Sequence, residues 1–319
     1  MRKFSLGFLP VLIFCAIYSS ACDPPPDANR NEYREESRFP QDFKTTGAYL
    51  VLEWNGRKPW VMASGNLVDR EKGIFRTAKH FTDEFGKLGL DYCKVFFNGK
   101  VYRANLVRVP PLRDAALIKI FSSFSPDDFP KLLPVAKEIP KFGDKIYIQG
   151  FHPHLYKIRK INEEEGFSDK MVPIFETYYG VVDKDLNRET QVVFDDLEGR
   201  VIRPDPESVF KNKFLTAEQK KDLLEVENDK YTKVLMKRDH KFSFGGLSGG
   251  VALNDRGEIV GVITAQNPLK FEYDKHGFFF IPGEGQVEIT EIKKQLWDTI
   301  YITPINSIKD LNEYIKNSK

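Results

Sequence analysis

Residues Phe242 to Ala265 read FSFGGLSGGVALNDRGEIVGVITA, and they decide how the rest of the chain is interpreted. They place Ser248 in a run of glycines between two apolar segments. Glycine permits a sharp turn that exposes a serine hydroxyl, and it leaves backbone N–H groups bare enough to point at an oxyanion. The stretch therefore predicts either a nucleophile for acyl transfer or an ordinary glycine-rich turn between two strands.

The composition is that of a globular chain without a strong overall charge. Its 319 residues favour about two compact domains, and 41% apolar residues are enough to fill their cores. Because 48 basic residues nearly balance 46 acidic ones, the net charge is only +2. We therefore expect no nucleic-acid partner.

The first 21 residues have the pattern of a secretory signal. Arg2 and Lys3 precede an apolar run from Phe4 to Tyr18, and small residues close it at positions 19–21. The run is too short to span a bilayer comfortably as a permanent helix. We expect residues 1–21 to be a signal peptide and the protein to be exported.

Cys22 follows this signal directly, in a context that resembles the lipobox of bacterial lipoproteins. The resemblance implies a lipidated Cys22 and a tether to a membrane of the bacterial cell envelope. The alternative is simple cleavage that leaves Cys22 as a thiol. Residues 22–44 are polar and rich in proline, so we expect a disordered tether there. Of the 3 cysteines only Cys93 then remains, and we expect no internal disulfide.

The first half of the remaining chain, residues 45–140, reads as short strands separated by turns. The Asn98-Gly99 pair between the fourth and fifth strands is a strong hairpin signal. Closely spaced strands without long helical periods predict a small antiparallel barrel. The predicted strands are Gly47–Trp54, Pro59–Val68, Gly73–Ala78, Tyr92–Phe97, Val101–Val109 and Asp114–Ile120.

The second half, residues 141–319, repeats this strand-rich pattern. Residues Asp255 to Gly257 predict a hairpin turn after the serine stretch, and a closing strand is followed by a predicted helix over 307–316. We therefore expect a second barrel. The predicted strands before the serine stretch are 144–150, 172–182 and 190–196.

A charged segment between Leu197 and Lys241 interrupts the second half. Residues Thr216 to Gln219 fit a capping box, and helical spacing of apolar residues continues through Leu235. We predict that residues 197–241 form a surface helical insertion.

Three motifs place a histidine, an aspartate and a serine in a particular order along the chain. His80 lies in RTAKHF, Asp114 opens DAALIKI, and Ser248 lies in GLSGG. The last motif also fits the G-x-S-x-G elbow of α/β-hydrolases, but those enzymes place the aspartate and the histidine after the serine. The order found here is that of chymotrypsin-like proteases. Each residue alone also has an ordinary structural explanation, as a partly buried histidine, a turn aspartate and a turn serine.

These segments together resemble the trypsin-like serine peptidase family, and most closely the bacterial HtrA-type (Deg-like) protease domains. NDRGEIVGVITA resembles the strand pair that follows the serine in that family, and YITPIN resembles its closing segment. The resemblance implies an all-β fold of two six-stranded antiparallel barrels, with the catalytic groups in the cleft between them. It covers most of the chain from about Gly47, and we expect no PDZ domain.

The resemblance also implies a role for each residue. His80 would accept the proton of Ser248 and pass it to the leaving amine, and Asp114 would orient the imidazole. The backbone N–H groups of Gly246 and Ser248 would bind the oxyanion. The chain would then be an exported serine endopeptidase, acting on proteins or peptides without a cofactor.

Several positions bear on the substrate. Phe242 stands near the place of the acidic base of a trypsin S1 pocket, so we expect cleavage after apolar residues rather than after arginine or lysine. Thr264, Ala265 and Gln266 should form the strand edge along which a peptide pairs. Leu247 replaces the aspartate that precedes the serine in digestive trypsins, so we expect no activation by an inserted N-terminus.

Two other interpretations concern the site as a whole. A catalytically silent binding module could keep the barrels and the cleft while a peptide flip in GGLSGG collapses the oxyanion hole. His152 and His154 could suggest a metal site, but no third ligand has an evident spacing, so we expect no metal.

Overall fold

The structure, a computed structural model, describes residues 39, 43–54, 58–110, 113–155, 190–203, 217, 220–221, 231–236, 246–266, 278–281, 285–288 and 299–317. These residues form two closed barrels of six antiparallel strands each. The predicted fold class, two six-stranded antiparallel barrels, is confirmed.

The first barrel lies between Gly47 and Ile120, and its strand order is β1-β2-β3-β6-β5-β4. Each predicted strand agrees with the observed one to within two residues at either end. The hairpin turn at Asn98 and Gly99 is also confirmed, since both residues have positive φ, 47° and 71°. The strands are β1 Gly47–Trp54, β2 Lys58–Asp69, β3 Ile74–Thr77, β4 Cys93–Phe97, β5 Lys100–Arg108 and β6 Ala116–Ile120.

Two helices accompany this barrel. Helix α1, Phe43–Thr46, leads directly into β1, and helix α2, Lys79–Leu88, follows β3. Helix α2 was not predicted from the sequence, although Phe81 and Phe85 are buried at a helical spacing of four. It ends at Gly89, which has the left-handed φ of 63° that a helix C-cap favours.

The second barrel has the strand order β10-β11-β14-β9-β8-β7, and a separate two-stranded sheet pairs β12 with β13. The hairpin predicted around Asp255 to Gly257 joins β10 to β11, and Gly257 has a φ of 75° there. Helix α3, Lys309–Asn317, closes the described chain and starts two residues later than predicted. The strands are β7 Lys145–Leu155, β8 Thr190–Ile202, β9 Thr232–Met236, β10 Val251–Leu253, β11 Ile259–Gln266, β12 Phe278–Ile281, β13 Gly285–Glu288 and β14 Thr299–Pro304.

A hydrophobic cluster contains residues of both barrels, of α1 and of α3. The ring of Phe151 on β7 lies 5.4 Å from that of Phe43 and 6.2 Å from that of Tyr49, measured between centroids. Leu311 on α3 belongs to the same cluster and is fully buried. The barrels therefore share a packed apolar boundary, which holds the faces that carry the candidate site against each other.

Three predictions about the second half and the N-terminal segment need correction. The proposed insertion at 197–241 is wrong at both ends, because residues 197–202 belong to β8 and β9 occupies Thr232–Met236. In β9 the buried Val234 and Met236 flank the exposed Leu235, which is strand alternation and not helical spacing. The predicted tether at 22–44 is wrong at its C-terminal end, because Phe43 is fully buried in α1.

His152 and His154, considered above as possible metal ligands, lie in strand β7 and pair with Val193 and Gln191. No group of three or more potential metal ligands is found within the described ranges. No helix in that part of the chain is long and apolar enough to cross a membrane. The predicted signal peptide, Cys22 and the predicted strand 172–182 lie outside the described residues.

Candidate active site

Strand pairing brings His80 and Asp114 together. Thr77 ends β3 and pairs with Ala116, the first residue of β6. His80 follows three residues later in the first turn of α2, and Asp114 precedes β6 by two residues. The two side chains therefore meet at the same end of the barrel although 34 positions separate them in the sequence.

Asp114 holds His80 through two hydrogen bonds. The backbone N–H of His80 donates to Oδ1 at 2.8 Å, and ring atom Nδ1 lies 2.7 Å from Oδ2. Because a carboxylate only accepts, Nδ1 carries the ring proton and donates it. The Nε2 atom of the neutral ring is then an acceptor, and it has no hydrogen-bond partner among the described residues.

The pKa of His80 is raised above its ordinary value of 6.5. Partial removal from water lowers the pKa, but the negative charge of Asp114 and the hydrogen bond to it outweigh that effect. Asp83 and Glu84, in the same helix, raise the pKa further. The His80 side chain remains half exposed, so solvent reaches the ring.

Ser248 lies on a turn that contains a glycine with positive φ before it and another after it. Gly246 has a φ of 99° and Gly249 a φ of 85°, both in the range that disfavours side chains. Between them the side chain of Leu247 is fully buried in the core cluster of the second barrel. The turn closes with a hydrogen bond from Gly250 N–H to Leu247 O at 2.8 Å, and apolar packing anchors it.

The Ser248 hydroxyl points to strand β11. Its Oγ donates to the backbone oxygen of Thr264 at 3.3 Å, and no hydrogen bond joins it to His80 in the described structure. Thr264 Oγ1 lies 2.7 Å from Thr303 Oγ1, and the Thr303 hydroxyl also contacts the backbone oxygen of Asp114 at 3.4 Å. In the second barrel, strand β11 therefore contacts the serine and strand β14 contacts the aspartate.

The N–H groups of Gly246 and Ser248 donate no hydrogen bond to any described residue. Their carbonyl groups, in contrast, are both bound by Ser64 on β2 of the first barrel. Ser64 N–H donates to Ser248 O at 2.8 Å, and Ser64 Oγ donates to Gly246 O at 3.0 Å. Two N–H groups near the serine are thus available for an oxyanion.

The predicted peptide-binding edge is partly open. Ala265 and Gln266 pair with Tyr301 and Ile300 on one side. On the other side β10 pairs only as far as Val262, so no described strand covers the edge of residues 264–266. An extended peptide can pair with such an edge.

Two predicted site residues lie outside the described part of the chain, Phe242 and Cys22. Ser64 was not identified from the sequence, because a serine in a strand of small and apolar residues carries no signal for a contact 182 positions away. Thr303 was missed for the same reason. The signals that could have indicated this contact are Thr77 in RTAKHF and Gly249 in GLSGG. Thr77 Oγ1 donates a hydrogen bond to Ser64 O, and Gly249 lies directly against the same oxygen.

No family model matches this chain, and no curated protein matches it. Among solved structures, it is similar to a serine endoprotease from Yersinia pestis, with a TM-score of 0.44 and 14% sequence identity. The alignment covers 87% of this chain and 66% of that one, so the chain spans just under two thirds of that structure's length.

Proposed function

We propose that the protein is a serine endopeptidase in which Ser248 is the nucleophile, His80 the general base and Asp114 the residue that orients the imidazole. The observation that carries this proposal is the double hydrogen bond of Asp114 to the ring and the backbone of His80. It fixes the tautomer with a free Nε2, which is the acceptor that a serine nucleophile needs.

In the proposed reaction, the Ser248 hydroxyl leaves Thr264 O and donates to His80 Nε2. Catalytic hydrogen bonds of this kind often form only when substrate is bound. Oγ attacks the scissile carbonyl carbon while its proton moves to Nε2, and Asp114 stabilises the imidazolium. The N–H groups of Gly246 and Ser248 bind the oxyanion, an effect worth about 3 to 4 kcal/mol per donor in other proteases.

When the tetrahedral intermediate collapses, its C–N bond breaks, the imidazolium of His80 donates its proton to the nitrogen, and the amine product leaves. The remaining acyl group is bound to Ser248 as an ester. Water then attacks this ester, with His80 accepting a proton from the water and returning it to Ser248. Ser248 thus regains from water the proton that it lost to the leaving amine, His80 is neutral again after each half of the cycle, and no cofactor takes part.

The substrate in this proposal is an extended peptide paired along residues 264–266, where no strand of the described ranges covers the edge of β11. Export to the bacterial envelope and lipidation at Cys22 belong to the same proposal and rest on the sequence pattern. So does a preference for apolar residues before the cleaved bond, which depends on Phe242.

A second candidate function is a silent binding module with the same cleft. One observation favours it, the hydrogen bond of Ser248 Oγ to Thr264 O in place of His80. A serine held permanently in that orientation could not be deprotonated by the imidazole, while the open strand edge would still bind a peptide.

Labelling with a fluorophosphonate probe separates the two candidates, because the probe reacts only with an activated serine. We expect the full chain to label, and Ser248→Ala and His80→Ala to remain unlabelled. Ser122→Ala is a matched control, since this hydroxyl accepts a hydrogen bond from Arg103 N–H beyond the end of β6 that is opposite to Asp114. A folded wild-type protein that does not label would exclude the peptidase.

A further inference from the structure

We propose that Ser64 is a positioning residue through which the first barrel sets the shape of the oxyanion loop in the second barrel. The oxyanion loop is defined here as residues 246–249. The inference rests on the peptidase function proposed above and adds a residue that lies in β2, far from GLSGG in sequence. Ser64 touches neither the reacting carbonyl nor the imidazole in this proposal, and it acts through Gly246 and Ser248.

Ser64 uses both its backbone and its side chain on this loop. Its N–H donates to Ser248 O at 2.8 Å and its Oγ donates to Gly246 O at 3.0 Å. These are the carbonyl groups of the two residues whose N–H groups are the proposed oxyanion donors. These carbonyls belong to the peptide groups that follow the two donor residues, so a single buried residue of the first barrel restrains Gly246 and Ser248 on their carbonyl sides.

Ser64 is itself held on every side. Its Oγ accepts a hydrogen bond from Phe151 N–H at 2.8 Å, and its backbone oxygen accepts one from Thr77 Oγ1 at 2.7 Å. The hydroxyl also lies 3.3 Å from Phe151 O, but its single proton favours the shorter contact to Gly246 O. The hydroxyl therefore has one defined donor direction, toward the oxyanion loop.

The surroundings leave no room for another side chain between the barrels at this point. A Cβ atom on Gly249 would lie 2.1 Å from Ser64 O and 2.4 Å from Thr77 Oγ1. A Cβ atom on Gly150 would lie 3.0 Å from Ser64 Oγ. The two backbones approach this closely only because both positions are glycine, and this contact lets a side chain as short as serine reach the loop.

The restraint matters because Gly246, as a glycine, has a backbone that rotates easily. Its φ of 99° lies in a region that glycine leaves at little cost, so its peptide groups can rotate unless something binds them. Loss of the Ser64 hydroxyl leaves Gly246 O and Phe151 N–H without their buried partner. We expect the loop to rotate and the Gly246 N–H to leave the oxyanion position for part of the time.

The test is Ser64→Ala in the full chain, assayed with a peptide substrate selected by library profiling of the wild-type protein. We expect kcat to fall by about 10- to 100-fold, because one oxyanion donor is worth at least that much, with KM changed by less than about threefold. Ser307→Ala is the matched control, because that hydroxyl also donates to a backbone carbonyl, Pro304 O at 2.7 Å. It should leave kcat and KM unchanged.

A second readout separates positioning from a loss of stability. A peptidyl trifluoromethyl ketone forms an oxyanion on the enzyme, so its affinity should fall by the same factor as kcat/KM in Ser64→Ala. A peptide that binds Ser248→Ala without reacting should bind Ser248→Ala and the Ser64→Ala/Ser248→Ala double variant equally. If Ser64→Ala folds poorly, Ser64→Cys takes its place: the thiol is somewhat larger than the hydroxyl and is a weaker donor, so kcat and the affinity for the ketone should still fall below those of wild type.

The possible outcomes distinguish this inference from the proposed function. If the wild-type protein neither labels nor cleaves, the peptidase itself fails. If it does both, but folded Ser64→Ala and Ser64→Cys keep wild-type kcat and wild-type affinity for the ketone, only the role of Ser64 is overturned. Equal losses of affinity for the ketone and for the unreactive peptide would also overturn it, since a positioning residue of the oxyanion loop acts on the oxyanion alone.

Discussion

At the scale of single residues, the charges around His80 determine the pH at which the proposed base becomes available. The pKa of His80 is raised, and the charge of Asp83 is one of the causes. Below that pKa the imidazole is protonated and cannot accept the serine proton. We predict that kcat/KM falls toward acid with an apparent pKa above 6.5, and that Asp83→Asn moves this limb to lower pH while the plateau rate stays unchanged.

The measurement is kcat/KM against pH at low salt, because screening weakens the effect of an exposed charge. Asp91→Asn is the control, an exposed aspartate just beyond the same helix whose charge is not among the causes of the raised pKa. A limb that moves to higher pH in Asp83→Asn would contradict the assignment of the limb to His80.

Arg76, on strand β3 of the first barrel, is a buried positive charge, and its burial lowers its pKa. Its side chain is 2% exposed, and Nε and Nη2 have no hydrogen-bond partner in the described structure. Burial lowers the pKa of the guanidinium well below its ordinary value, to about 10, which corresponds to about 3 kcal/mol lost from the stability at neutral pH. We predict that Arg76→Met raises the free energy of unfolding by about 1 to 3 kcal/mol at pH 7.

The pH dependence of this difference has a defined sign. Above about pH 10 the folded chain binds fewer protons at Arg76 than the unfolded chain, so the wild-type protein gains stability with rising pH. The advantage of Arg76→Met should therefore shrink above pH 10, as measured by urea unfolding of both proteins at pH 7 and at about pH 11. If Arg76→Met is less stable than wild type at pH 7, interactions of the guanidinium outweigh the cost of burying its charge, and the prediction is wrong.

At the scale of elements, the sequence predicted what local patterns determine. The strands of the first barrel were located because turn residues such as Asn98 and Gly99 delimit them. Helix α2 was missed because its N-cap residue is Ala78, which offers no side-chain cap, so the usual start signal is absent. Strand β9 was hidden because its residues through Leu235 also fit the helical spacing that continues from the preceding segment.

The turn that carries Ser248 has no space for a side chain at Gly249. Gly249 has a φ of 85°, and a Cβ atom there would lie within 2.1 Å of Ser64 O. We predict that Gly249→Ala lowers the melting temperature and abolishes fluorophosphonate labelling, because the turn must move away from the first barrel. Gly86→Ala is the matched control within helix α2, where no heavy atom lies within 4 Å of the added carbon.

In that control the same added methyl group should have the opposite effect. Alanine favours the helical conformation over glycine by about 1 kcal/mol, so Gly86→Ala should raise the melting temperature slightly and label like wild type. Differential scanning calorimetry and labelling of the two variants side by side decide the matter. Equal effects of the two substitutions would show that the turn at Gly249 is not constrained by the first barrel.

At the scale of the whole molecule, the sequence located the candidate residues but not the contacts between barrels. His80, Asp114 and Ser248 could be selected because each lies in a short local motif. The hydrogen bond of Ser64 to Gly246 joins residues 182 positions apart, and only the packing of one barrel on the other determines it. The same holds for Phe43, whose burial depends on a surface that belongs to β7 of the second barrel.

Phe43 therefore tests whether the two barrels fold as one unit. It was assigned to a disordered tether from the sequence, yet its side chain is fully buried, its ring lies 5.4 Å from that of Phe151, and its N–H donates to Gln149 Oε1 at 3.1 Å. We predict that Phe43→Ala lowers the free energy of unfolding by about 3 to 5 kcal/mol. Phe142→Ala is the matched control, since its ring is 62% exposed and rests against Arg203.

Urea unfolding followed by both tryptophan fluorescence and far-ultraviolet circular dichroism should show one coincident transition for wild type. Because the shared cluster couples the barrels, Phe43→Ala should move both signals to the same lower midpoint, and Phe142→Ala should move neither. If instead the two signals separate in the wild-type protein, the barrels unfold independently. In that case the first barrel could not hold the oxyanion loop of the second in one fixed arrangement.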